Sequence, residues 1–252
     1  MLRNTLNTFV SATFIMLLGV SSSAKAVLPT GELMGTTTVT FGEDVQESPS
    51  KTEVTVTLVP SAPRVSIESD AEEALEPDTA VELTVTITST ANGLDNYVVT
   101  AKTVHTDGLV SVGQFTLSEL VGPIPLGATA AISIEGRIIT VLYDGEADNG
   151  NVNGIEADDT VIIGDNEYEY KVASISDKEE SSTITLTDAG EDPSIELGTH
   201  IVERKTETVT IPSIATLGPD AALDQQVTYS VNARTSETGL EEPDETLIVE
   251  VL

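Results

Sequence analysis

Threonine and valine alternate along this chain with a period of two. The pattern runs through 36–41 (TTTVTF), 52–59 (TEVTVTLV), 81–90 (VELTVTITST), 97–103 (YVVTAKT), 182–187 (STITLT), 206–211 (TETVTI), 227–233 (VTYSVNA) and 246–251 (TLIVEV). Successive side chains of a strand point to opposite faces, so each run packs one face and wets the other. β-Branched residues suit that surface, and Gly, Asn, Asp and Pro clusters separate the runs. No stretch sustains a helical period beyond about two turns, with single turns expected at 70–75 and 118–121. The pattern predicts an all-β protein.

Turn chemistry organises the strands. Ala91-Asn92-Gly93-Leu94-Asp95 lies between two alternating runs, and Asn-Gly favours positive φ, so 81–90 and 97–103 are expected to form a hairpin. The turn at 217–220, the strand at 226–233, the turn at 239–243 and a last strand read as a meander. Strand spacing and turns together predict an antiparallel, Ig-like β-sandwich over 63–252. Within it, 135–180 reads differently: a strand at 137–143 (RIITVLY), an acidic loop, then two short strands turning at Gly164-Asp165-Asn166. A small barrel or a decorated hairpin inserted in the sandwich, and a simple extension of one of its sheets, are all open for these strands.

The stretch VELTVTITSTANGLDNYVVTAKT resembles the hairpin of Ig-like domains in repeat arrays of secreted bacterial surface proteins. It covers about a tenth of the chain, and no tandem repeat accompanies it. The resemblance implies a structural role at a surface or outside the cell, and brings no catalytic residues with it.

Residues 27–62 are expected to form an extension of two strands around a polar linker at 42–51 (GEDVQESPSK). The strand residues Thr36, Thr38, Val39, Phe41, Val54, Val56 and Leu58 lie in runs without interior proline and with little charge, the kind that pairs along an open edge. One of these strands could complete a neighbour's sheet, giving a homopolymer. Pairing within the same chain is the alternative.

The first 26 residues read as a cleaved export signal. Arg3 supplies the positive start, 9–20 (FVSATFIMLLGV) the apolar core, and Ala24-Lys25-Ala26 the small residues before cleavage. A retained anchor is the alternative, but the apolar run is short and interrupted by Ser11 and Thr13. No later segment is apolar enough to span a bilayer, so the mature chain is expected outside the cell or at its surface without membrane insertion.

Charge and cysteine content narrow the class. With 11 Lys and Arg against 42 Asp and Glu, the formal net charge is −31, and removing residues 1–26 takes away Arg3 and Lys25 but no acid. Such a chain repels nucleic acid and anionic lipid. Without cysteine, an exported protein is held by its core, bound ions or neighbouring subunits.

Candidate chemistry is sparse. His105 and His200 lack partners at metal-ligand spacing, although Glu203 follows His200 closely, and no HExxH, Gly-x-Ser-x-Gly or P-loop occurs. Acids are plentiful enough for a glycosidase pair, but no Trp and five Tyr are poor material for a sugar-stacking cleft. No enzyme is predicted, and an extracellular hydrolase stays as a third reading only because acids are plentiful.

The acidic loop YDGEADNGNVNGIEADD is the one candidate ion site. Placing Gly150 at position 6 of an EF-type calcium loop sets Asn149, Val152, Asn153 and Glu156 correctly, but puts Asp144, Glu146 and Asp148 one residue out of step. The flanks are strands. A looser calcium site would use Asp144, Glu146, Asp148, Asn149, Asn151 and Asn153, closed by Glu156, Asp158 or Asp159; a solvated turn needs no ion. The expectation is therefore a secreted structural protein, a subunit of an extracellular filament or matrix built by β-strand complementation. A calcium-dependent adhesin or ligand-binding module is the alternative.

Overall fold

A computed structural model describes residues 30–41, 44–55, 58–71, 74–106, 108–141, 149–165, 168–178, 182–187, 190, 192–193, 195–218 and 225–252, with 30–41 and 44–55 described by their backbone. The export signal expected at 1–26 lies outside these residues. The chain is all-β: sixteen strands and no helix occur among the described residues. β1 (Thr30–Phe41) and β2 (Asp44–Thr55) come first, then β3 (Arg64–Ser69), β4 (Val81–Thr88), β5 (Asp95–His105), β6 (Leu109–Val112) and β7 (Ile124–Leu126). β8 (Ala128–Glu135), β9 (Ile138–Val141), β10 (Thr160–Ile163), β11 (Glu169–Ser176) and β12 (Ser182–Leu186) fill the middle. β13 (His200–Ile211), β14 (Ala215–Leu217), β15 (Gln225–Thr235) and β16 (Glu245–Val251) follow. The segments expected as helical turns contain bends at Asp70 and 118–120 and an isolated bridge at Leu75.

Two facing sheets make a sandwich. One has the order β3-β4-β13, the other β16-β15-β5-β7, and every strand pair in both is antiparallel. Alternate residues of each strand meet between them: Val81, Leu83, Val85 and Ile87 from β4 and Ile211 from β13 pack with Tyr97, Val227, Tyr229, Val231 and Val249. The predicted hairpin at 91–95 does not form. β4 and β5 lie in different sheets, and 89–94 crosses between them, with neither Asn92 nor Gly93 at positive φ. Both strands carry fully buried inward residues, and opposing them across the core shields both sets at once.

A closed ring grows out of the first sheet. β8 pairs with β9, β9 with β12, β12 with β11, β11 with β10, β10 with β13, and β13 returns to β8, all antiparallel. Its core takes Ala131, Ile139, Val141, Val161, Ile163, Tyr170, Val172, Ile184, Leu186 and Ile201, so all six strands contribute. Register shifts at Ala131/Ser133 and Val172/Ser174 bend the ladder as closure requires. The ring uses β8, β12 and the start of β13 as well as the strands expected between 135 and 180. Because β13 runs on into the sandwich, the insert is both a small barrel and an extension of a sheet.

The N-terminal strands pair with each other. β1 and β2 run antiparallel in register from Thr30↔Thr55 to Phe41↔Asp44. Of the expected linker 42–51, residues 44–51 are therefore strand, held by main-chain pairing, and 42–43 lie outside the described residues. Pro49, opposite Thr36, is tolerated because both strands of a two-stranded sheet are edges.

Candidate functional site

Three charged side chains on one face of β13 join the ring to the sandwich. Ile201 belongs to the ring core and Ile211 to the sandwich core. Glu203, Lys205 and Glu207 lie between them at the same period of two. Each grips the segment 118–127, which carries the chain from the sandwich into the ring. Gly127 N donates to Glu203 Oε2 (2.7 Å), and Lys205 Nζ donates to Pro125 O (3.2 Å) while pairing with Glu203 Oε1 (3.2 Å). Glu207 accepts four bonds: Ser118 N (2.5 Å) and Ser118 Oγ (2.8 Å) to Oε1, and Glu119 N (2.9 Å) and Leu120 N (2.7 Å) to Oε2.

The two carboxylates are driven in opposite directions. Glu203 is 2% exposed, and burial, reinforced by the nearby Asp159 carboxylate, pushes its pKa up to about 7 against the help of Gly127 N and Lys205. Burial also acts upward on Glu207, but the donors of Ser118, Leu120 and Glu119 together outweigh it and hold its pKa below the ordinary value. The sequence carried a signal for this row: Ile201, Glu203, Lys205, Glu207, Val209 and Ile211 place three charges inside an otherwise apolar alternation.

In the acidic loop, Asp144, Glu146 and Asp148 lie outside the described residues. In its second half the apolar pair points inward: Val152 and Ile155 are both fully buried and pack in the ring core. They face each other across a two-residue turn, with bonds Val152 N to Ile155 O (2.9 Å) and Ile155 N to Val152 O (3.0 Å). Asn153 (φ 50) and Gly154 (φ 87) take the positive φ that a type I′ turn demands. The loop's amides and one carboxylate serve as scaffolding: Asn149 Oδ1 accepts Asn151 N, Asn151 Oδ1 accepts Gly154 N, and Asp159 Oδ2 accepts Glu156 N. Asn153 Nδ2 donates to Thr129 Oγ1, while Glu156 and Asp158 face solvent. Among the described residues, no three His, Asp or Glu gather at metal-binding geometry.

The histidines are far apart in role. His200 Nε2 lies 3.1 Å from Ala91 O, and burial pushes its pKa below the ordinary value. His105 Nδ1 lies 3.0 Å from the neighbouring carbonyl of Thr106 on an exposed strand end.

Sheet edges are the remaining candidates. Of the residues expected to assemble, Thr36, Thr38, Val39 and Phe41 are in β1 and Val54 is in β2. Val56 lies outside the described residues, and Leu58, 46% exposed, follows the strand rather than belonging to it. Among the described residues, neither outer edge of this hairpin meets a third strand. On the body, Ser89 N donates to Glu203 O (3.0 Å) and Gly164 N to His200 O (2.7 Å). Odd positions of β13 thus bond toward β4 and even ones toward β10, whose pairing stops at Arg204. Beyond it, the edge at Thr206, Thr208 and Thr210 carries no strand among the described residues.

Compared with known proteins, the chain matches no family model, no curated protein and no solved structure.

Proposed function

We propose that this chain is an exported structural protein, a subunit of an extracellular filament or matrix whose copies join by adding strands to one another's sheets. The observation that carries the reading is the β1–β2 hairpin. Two twelve-residue strands bond only to each other among the described residues. A two-stranded hairpin is marginal in water and gains stability from a third strand or a packing surface. A neighbouring copy provides both.

Other features support the same reading. The antiparallel pairs β4/β13 and β5/β15 in two facing sheets support the Ig-like reading on which the resemblance to surface-array domains rests. With no cysteine and a net charge of −31, cohesion has to come from backbone bonds and apolar burial, while acidic faces keep finished fibres apart.

Electron microscopy and sedimentation of the purified mature protein test this. Filaments or concentration-dependent oligomers are expected. A chain that stays monomeric at high concentration overturns the reading.

A further inference from the structure

We propose that the unpaired edge of β13, at Thr206, Thr208 and Thr210, is the acceptor on which a second copy seats its β1 strand. The proposal rests on the fibre reading and names the junction that reading requires.

The body offers few places to add a strand. The ring is closed, and closure removes edges. In the sandwich, β3 exposes Arg64 and Glu68, and β16 exposes Glu245 and Glu250 while Leu75 occupies its end through Leu75 N to Glu250 O and Leu252 N to Leu75 O (both 2.9 Å). β7 is three residues long with Pro125 at its centre. Charge, proline and shortness are the usual guards of a sheet edge. The β13 edge has none: after Lys205, its one charged side chain is Glu207, which is 4% exposed and spent on 118–120.

Beside this edge lies an open cleft of about 370 Å³ lined in part by Glu119, Leu120, Val121, Ile124, Lys205 and Thr206. Val121 is 68% exposed there. The cleft thus sets an apolar wall beside unpaired backbone, with the one acid, Glu119, offset by Lys205.

The occupant follows from charge. Two copies of so acidic a chain approach best where the acceptor's acid is offset by a lysine and the donor segment carries none. Residues 33–41 of β1 (LMGTTTVTF) carry no charge and no proline, whereas β2 carries Asp44, Glu47, Lys51, Glu53 and Pro49. β1 is also bonded to β2 along its whole length, leaving its other edge to bond outward. The hairpin then docks intact, and the three-stranded sheet β3-β4-β13 grows to five without breaking a bond. The uncharged run 36–41 matches the six residues 206–211 in length.

The test uses the mature full chain, which has no native cysteine. Single-cysteine copies carrying Thr208→Cys are mixed under oxidising conditions with copies carrying Thr36→Cys, Thr38→Cys or Thr40→Cys. At least one mixture is expected to form a disulfide-linked dimer tenfold or more faster than a control mixture using Thr246→Cys on β16; rates no faster than the control overturn the assignment. Separately, Thr208→Pro removes an N–H that faces away from β4, so the fold survives while the added strand loses its donor. A folded Thr208→Pro chain is expected to lose assembly at least tenfold. If it assembles like wild type, the β13 edge is wrong and the fibre reading stands; if wild type itself never assembles, both fall.

Discussion

Glu203 and Lys205 stand two residues apart on β13 with Oε1 and Nζ 3.2 Å apart, at the place where the ring core ends and the sandwich core begins. One end of that pair is buried and the other reaches solvent, at 3% and 39% side-chain exposure. The buried end takes Gly127 N and the exposed end takes Pro125 O, so the pair fixes where the chain leaves the sandwich for the ring. Two cores on one strand need such a marker, because apolar residues throughout would leave the boundary free to slide.

The protonation of Glu203 makes this joint sensitive to pH. Its folded pKa, about 7, lies above the ordinary 4.5. The folded chain therefore holds a proton that the unfolded chain releases, and the stability due to Glu203 is full below about pH 4.5 and lost as pH rises through about 7. The loss is on the order of 3 kcal/mol, at about 1.4 kcal/mol per unit. Urea unfolding at about pH 5 and about pH 8 should show wild type losing more stability than Glu203→Gln over that interval. Parallel losses in the two proteins would remove Glu203 from the account.

Glu207 titrates with the opposite sign. Its lowered pKa gives stability that is present above the ordinary carboxylate range and lost as pH falls toward the folded value. Glu207→Ala leaves the N–H groups of Ser118, Glu119 and Leu120 without their acceptor, and should cost about 3 kcal/mol at neutral pH. Hydrogen exchange should quicken at these three amides first. Unchanged exchange at 118–120 would show that another group holds them.

The acidic loop acts through its apolar pair. Ile155→Ala opens space in the ring core and should cost about 2–5 kcal/mol, whereas Glu156→Ala and Asp158→Ala, on exposed side chains, should stay within about 0.5 kcal/mol. Gly154→Ala is strained at φ 87, and its added carbon would sit 2.5 Å from Leu94 Cδ1. If the apolar pair and the turn bonds alone hold the loop, its melting midpoint should be the same in calcium and in chelator. A midpoint that rises with calcium would instead assign its carboxylates an ion.

Tyr229 carries a hydroxyl without a hydrogen-bond partner in the sandwich core, and burial pushes its pKa up to about 12. Tyr229→Phe keeps the edge-on contact with Phe115, whose ring centroid is 5.5 Å away, and removes the orphaned group. Thermal unfolding should show the variant equal to wild type or more stable by about 1 kcal/mol. A loss of more than that would mean the hydroxyl is satisfied.

The alternation of Thr and Val was enough to determine an all-β chain and to place β4, β5, β12, β15 and β16 within a few residues, because period two is a local property of the backbone. β8 (ATAAISIE) was not legible: Ala128, Thr129, Ala130 and Ala131 are all buried, on both faces, so no alternation marks them. The crossing at 89–94 was not legible either, since Asn-Gly between two strands reads the same whether the strands pair or oppose. Which edges remain open, which loop residues plug the ring and which charges on β13 meet the 118–127 segment depend on partners far away in sequence. Local pattern states what each strand can bury; only tertiary pairing decides against what.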